Sequence, residues 1–258
     1  MSQGALANRV AIVTCGGLAA GRGYARALAA AGAQVVVADP FEDAGEETVA
    51  LITKDGGSAR FVEVDLTDEA SIIAVVAHAV DAFGQLDVLV NNPNRYRDTR
   101  FTALADLTVE HWDETMAVMV RGVMLMCKAA VPVLADSPHP AIVNHTSSAA
   151  YGVRNWLDYG TARGAVIAMT KSLAKELAPQ GIRVNALSVG SSGAEAIALG
   201  VVRDEEQMMS TPEFKAQLIP RLATEDDVAG PIVFLASEAS SYMTGQTISY
   251  DGGKFFLG

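Results

Sequence analysis

Val10-Ala-Ile-Val-Thr14-Cys15-Gly16-Gly17-Leu18-Ala19-Ala20-Gly21-Arg22-Gly23 is a β-branched run that breaks into a glycine-rich turn and then enters an Ala-rich stretch of helical period. A strand feeding a helix through so tight a turn is the opening unit of an α/β sheet. It places free backbone N–H groups, and the positive end of the helix dipole, at the top of the first strand.

The same alternation continues along the chain. Strand-like runs occupy Val10–Thr14, Gln34–Asp39, Arg60–Asp65, Leu86–Asn91, Ala141–Thr146, Arg183–Leu187 and Gln246–Tyr250. Helical period is found over Gly21–Ala31, Asp43–Lys54, Glu69–Phe83, Val109–Val133, Tyr159–Leu177 and Glu225–Ser237. Parallel strands need crossover helices, so the pattern predicts an α/β fold of doubly wound, Rossmann type. Its sheet would be seven-stranded and parallel, with helices on both faces. No linker, repeat or low-complexity segment interrupts it, and one domain over 1–258 is expected. The longest irregular stretch, Ser188–Pro220, leaves the C-terminal end of the sixth strand, where open α/β sheets bind ligands. It reads as a substrate lid, with Ile197, Leu199, Val201, Met208 and Met209 as apolar lining or as contacts to a neighbouring subunit.

Apolar residues make up 50% of the 258 and charged residues 19%, a balance that excludes a disordered chain. The net charge of −11 argues against a nucleic-acid partner. Cys15 and Cys127 form neither a disulfide framework nor a C-x-x-C metal pair, and the scattered His78, His111 and His139 show no ligand spacing, so no metal is expected. With no basic leader and no uncharged apolar run of ~18 residues, neither export nor membrane insertion is expected. A soluble cytoplasmic setting fits.

The glycine turn alone is weak evidence for a nucleotide, since small residues also serve tight strand–helix packing. Asp39 ends the second strand 18 residues past Gly21, where a carboxylate can accept from adenosine ribose hydroxyls and repel a 2′-phosphate. A solvated strand-end Asp, or a helix cap beside Pro40, is the plain alternative.

Taken together, several segments resemble the short-chain dehydrogenase/reductase family over nearly the whole length. They are Val10–Thr14, Asp65-Leu-Thr-Asp68, Leu86-Asp-Val-Leu-Val-Asn-Asn92, Ile142-Val-Asn144, Tyr159-Gly-Thr-Ala, Lys171-Ser-Leu-Ala-Lys-Glu-Leu177, Gly181-Ile-Arg-Val-Asn-Ala186 and Thr244–Gly253. The resemblance implies NAD as cofactor, held by Thr14, Gly17, Leu18, Ala20 and Gly21 of the turn, by Asp39, by Asp65 and Leu66 flanking the adenine, and by Asn91 and Gly190. It implies a homo-oligomer, tetramer or dimer. It also implies catalysis by Ser147, with Ser148 as the alternative, together with Tyr159 and Arg163.

The family turn, T-G-x-x-x-G-x-G, can be read in two frames. Gly17-x-x-x-Gly21-x-Gly23 matches literally but needs two extra residues after Thr14. The frame anchored on Thr14 keeps the spacing and puts Cys15 and Ala19 in place of the first two glycines, with Gly21 as the third. Positions needing φ > 0 would then be strained. Further departures are Pro93-Asn94 for Ala-Gly, Met119 for the helix Asn that holds a proton-relay water, Val189-Gly190 for Pro-Gly, and Tyr159-Gly-Thr-Ala-Arg163 for Tyr-x-x-x-Lys.

Tyr159 and Arg163, four apart, share a helix face, and a cation beside a phenol favours the phenolate. Ser147 would donate to a substrate oxygen. His145 reads as a packed strand histidine, and the methionines of the long fourth helix as core or subunit contact. These residues suit an oxidoreductase acting on an apolar secondary alcohol or ketone. The Ser, Tyr, Arg set and the altered turn also resemble halohydrin dehalogenases, which lack a coenzyme and place Phe or Tyr where Ala19 stands. A catalytically silent nucleotide-binding relative is the third possibility.

Overall fold

The computed structural model describes residues 4–95, 100, 102–190, 196–197 and 202–255. Its centre is an all-parallel seven-stranded sheet in the order β3-β2-β1-β4-β5-β6-β7. The strands are β1 Val10–Thr14, β2 Gln34–Asp39, β3 Ser58–Glu63, β4 Val88–Asn91, β5 Ala141–Ser147, β6 Arg183–Val189 and β7 Thr247–Tyr250. The helices that bear on the site are α1 Ala19–Ala30, α2 Glu42–Lys54, α3 Glu69–Phe83, α4 Val109–Met116, α5 Gly122–Leu134 and α6 Leu157–Leu177. Three more follow: α7 Glu205–Ser210, α8 Pro212–Lys215 and α9 Ala229–Ala236.

Strand alternation divides the core into two layers. Val10 and Ile12 of β1 join α3, α5 and α6 on one face, while Ala11 and Val13 join α1 and α9 on the other. Strand order reverses between β1 and β4, so the glycine turn after β1 opens at the switch point of the sheet. A buried amide ladder ties this centre to α6. Asn91 Nδ2 donates to Asn144 Oδ1 at 2.9 Å, and Asn144 Nδ2 donates to Thr170 Oγ1 at 2.9 Å.

The differences from the sequence reading have local causes. β3 lies two residues earlier than expected, because Asp65 is a turn residue whose Oδ1 accepts from the Thr67 amide at 2.7 Å. β4 starts later because the Asp87 carboxylate, not a backbone carbonyl, takes the Val10 amide, at 2.7 Å. The expected fourth helix is interrupted by a π turn over Ala117–Arg121, which separates α4 from α5. By length and composition the stretch Val109–Leu134 could cross a membrane. Here Val123, Met126, Cys127, Ala130 and Leu134 bury against the sheet. Within 188–220, Leu199 and Val201 lie outside the described residues. Met208 is buried with Ala196, Val202 and Leu222, whereas Ile197 and Met209 are exposed.

Asn144→Ala should leave Asn91 and Thr170 with lost partners inside the protein and lower the unfolding free energy by about 2 kcal/mol. Denaturant titration measures it, and an unchanged midpoint would show that the ladder contributes nothing.

Candidate active site

The frame of the turn is fixed by its backbone. Cys15 has φ +46° and Ala19 φ +48°, both left-handed. These are the two positions that the Thr14-anchored frame assigns to glycine, so the chain keeps the glycine geometry with side chains on it. The third position still needs glycine, since a Cβ on Gly21 would sit 1.9 Å from the Cys15 carbonyl oxygen. The turn is strapped from three sides. The Thr14 hydroxyl accepts from the Asn92 amide at 2.9 Å, Asn92 Nδ2 donates to the Cys15 carbonyl at 3.1 Å, and Arg22 Nε donates to the Gly17 carbonyl at 3.0 Å.

Asp39 does not stand where the sequence reading put it. Its carboxylate is fully buried, with Oδ2 accepting from the Gly17 amide at 2.8 Å and Oδ1 from the Phe41 amide at 2.9 Å. A ribose cannot reach a carboxylate with no surface, so Asp39 acts by fixing the turn and by its charge. Asn91, expected beside the cofactor, spends its amide on the buried ladder. Asp65 is exposed, Leu66 is buried beneath it, and Gly190 receives β7 so closely that a Cβ there would lie 2.4 Å from the Asp251 Cα.

The residues present fit a dinucleotide diphosphate at this turn. The N-cap of α1, Leu18, makes no side-chain cap, and the first turn carries no acid, so the leading amides of Ala19, Ala20 and Gly21 are left for an anion.

The catalytic candidates converge where β5 ends and α6 begins. Tyr159 and Arg163 sit one turn apart in α6, and both are buried, Arg163 completely. Arg163 donates from one terminal nitrogen to the Tyr159 hydroxyl oxygen at 3.1 Å and from the other to the His145 carbonyl at 3.3 Å. Its guanidinium carbon also lies 4.8 Å from the Tyr159 ring centroid. Gly160 permits this junction, because a Cβ there would press to 2.9 Å on the Ala149 carbonyl just beyond β5. Ser147, the last residue of β5, accepts from the Ala149 amide at 3.2 Å, and no described residue accepts from its O–H. Ser148 is buried in the turn that follows.

Two features were not legible in the sequence. His145 faces the α1 side, where its Nδ1 meets the Tyr24 hydroxyl at 2.7 Å, and burial together with the nearby Arg163 holds its pKa well below the ordinary imidazole value. On the α4 side, His111 Nε2 lies 3.2 Å from Asp158 Oδ2, next to Tyr159. Only the packing of α4 on α6 brings that pair together. Cys15, whose thiol contacts the Asn94 carbonyl at 3.8 Å, is pushed up to about 12 by burial and by Asp39, so it is not a nucleophile at neutral pH.

The family model described as enoyl-(acyl carrier protein) reductase matches residues 17–254. The chain is 35% identical to the short-chain reductase protein NovJ of Streptomyces niveus, over 95% of this chain and 93% of NovJ. It is 37% identical to the cis-4-hydroxycyclohexanecarboxylate dehydrogenase of Sinomonas cyclohexanicum, over 96% of this chain and 97% of that protein. A crystal structure described as a short-chain alcohol dehydrogenase from Sinorhizobium meliloti 1021 superposes with TM-score 0.88 at 33% identity, covering 96% of this chain and 97% of its own.

The left-handed backbone gives a direct test. Ala19→Gly should be neutral or stabilising by up to about 1 kcal/mol, because relief of the αL penalty offsets the entropy of glycine. Ala27→Gly, within α1, should destabilise by about 1 kcal/mol. Equal losses in thermal unfolding of the two variants would rule out the assigned frame.

Proposed function

The chain belongs to the short-chain dehydrogenase/reductase family and is an enzyme of oxidoreductase type; from that premise we propose an NAD-linked alcohol dehydrogenase/ketoreductase for apolar secondary alcohols and the corresponding ketones. The observation that carries this reading is the 3.1 Å contact from Arg163 to the Tyr159 oxygen. A guanidinium donating to a phenol oxygen out of water stabilises the phenolate and makes Tyr159 a usable base in one direction and acid in the other.

When bound, the nicotinamide coenzyme supplies the acceptor or donor of hydride. The chain's own residues do the rest. Tyr159 holds or releases the hydroxyl proton at Oη. Ser147, oriented by the Ala149 amide, offers its O–H to the substrate oxygen as charge develops there. The α1 amides at Ala19, Ala20 and Gly21 would hold the diphosphate, on a turn whose shape is set through Thr14, Gly17 and Leu18. Asp65, Leu66 and Gly190 border the coenzyme. Asp39 disfavours a 2′-phosphate through its charge, and the residues after it, Pro40, Phe41 and Glu42, offer no compensating cation. The reading keeps 188–220 as the lid, of which 191–195 and 198–201 lie outside the described residues, and takes the working form to be a cytoplasmic homo-oligomer. The cyclic secondary alcohol in the name of the Sinomonas relative supports the secondary-alcohol part of this substrate class.

A second reading, a coenzyme-free halohydrin dehalogenase, is supported by Arg163 in place of Lys and by the loss of glycine at the left-handed Cys15 and Ala19, while the Phe or Tyr that such enzymes place at position 19 is absent.

The tests separate the two. NAD should bind more tightly than NADP in calorimetry, and tighter NADP binding would defeat the role given to Asp39. Tyr159→Phe should lower turnover about 10²–10⁴-fold with the fold intact. A variant retaining most of the wild-type rate removes Tyr159 as acid/base. Arg163→Lys should keep or raise NADH production from a panel of secondary alcohols, cyclohexanol and cis-4-hydroxycyclohexanecarboxylate among them. Under the second reading it should instead lower halide release from vicinal halohydrins, because an ammonium does not reproduce the planar fork. Halide release by wild type without NAD would sink the dehydrogenase reading.

A further inference from the structure

The register of the last three strands sets Ser147, Val189 and Tyr250 side by side at the C-terminal edge of the sheet, since Ser147 pairs with Val189 and Val189 with Tyr250. With strands about 4.8 Å apart, the chain that leaves β7 starts on the level of Ser147, two strands away. That chain is Asp251-Gly-Gly-Lys-Phe255. Asp251 is buried and winds it into a turn, its Oδ1 accepting from the Gly253 and Lys254 amides at 3.0 and 3.2 Å and its Oδ2 from the Phe255 amide at 2.8 Å. The Gly252 carbonyl takes the Leu218 and Ile219 amides at 3.0 and 2.9 Å, which ties the same turn to the far end of segment 188–220.

The turn carries Phe255 back toward β5. Its ring meets that of Tyr151, which closes the short turn Ser148–Tyr151 directly after Ser147, with centroids 5.8 Å apart and planes inclined by 41°. The pair therefore spans β6, one ring supplied from the β5 side and the other from the β7 side. The Lys254 ammonium, 5.5 Å from the Phe255 centroid, steadies that ring further. Burial, and after it the Asp251 charge, raise the Tyr151 phenol above its ordinary pKa, so at neutral pH it is an uncharged surface. Although both rings are held, Tyr151 keeps 42% of its surface exposed and Phe255 is half-buried. Open aromatic surface remains four residues from the catalytic serine.

We propose that Tyr151 and Phe255 are specificity-determining residues, a wall that selects carbocyclic over open-chain secondary alcohols; this rests on the reading of Ser147 as the group that takes the substrate oxygen. With the oxygen fixed at Ser147, the carbon skeleton that extends toward β7 lies against the two rings. A carbocycle lays its C–H surface on them without freezing any rotatable bond, whereas an open chain of equal carbon count loses rotational freedom to make the same contact. The wall thus acts on the shape of the substrate and leaves the chemistry to Ser147, Tyr159 and Arg163.

The test compares kcat/KM for cyclohexanol and hexan-2-ol, which have the same number of carbons, using the intact enzyme with NAD. Wild type should prefer the ring by about 10-fold, mostly through KM. Phe255→Ala and Tyr151→Ala should each cut that preference to within about twofold, while Tyr151→Phe, which keeps the ring, should retain it. A purely structural role would lower both substrates alike and leave the ratio unmoved. Wild type without the preference, or a preference unchanged in the alanine variants, overturns the wall. Should Phe255→Ala not fold, Tyr151→Ala, at an exposed position, decides alone. Wild type that oxidises no alcohol with NAD or NADP defeats the dehydrogenase reading itself; the same ratio is then read as Kd from chemical-shift titration with the two alcohols, and equal Kd values in wild type overturn the wall.

Discussion

A guanidinium with no exposed surface governs the centre of this molecule. Buried charge is tolerated only where its N–H groups are met inside the protein. Arg163 meets the Tyr159 oxygen on its own helix and the His145 carbonyl on β5. Those two contacts fix how α6 crosses the end of β5, and the Thr146 hydroxyl locks the same crossing by donating to the Arg163 carbonyl at 2.8 Å. Ser147, Tyr159 and the glycine at 160 take their places from that crossing. His145 is held neutral first by its own burial and then by this neighbour, since a second positive charge beside a desolvated guanidinium would be repelled.

The turn after β1 shows a different economy. Cys15 and Ala19 hold left-handed conformations that side chains disfavour, and the surrounding bonds from Asn92, Arg22 and Asp39 over-determine the loop so that it persists. Backbone geometry has outlasted the residue type that usually supplies it.

How much could be read in advance follows from what each feature depends on. β1, β2 and the start of β5 are set by β-branched runs with clear punctuation, and the observed ends agree with the sequence. β3 was displaced because Asp65 forms a side-chain turn, a local competition that periodicity does not register. The π turn at Ala117–Arg121 has no Pro or Gly to announce it. The meeting of Tyr159 with Arg163 and the Thr14 frame of the turn were legible because each depends on a short spacing. The burial of Asp39 was not, because it depends on an amide 22 residues away. The pairing of His111 with Asp158 and of Tyr24 with His145 exists only in the packed fold.

The double engagement of Asp39 has a bearing on coenzyme engineering. In open nucleotide sites a strand-end acid can be exchanged for a small or basic residue to admit the larger coenzyme, because that acid serves only as a filter. Here the same carboxylate is a keystone for the Gly17 and Phe41 amides. Removing it would strand two buried donors and loosen the loop before any new selectivity appeared. On the NAD-linked reading proposed above, redirecting this protein toward a phosphorylated coenzyme has to begin by replacing the latch, with the recognition group added second.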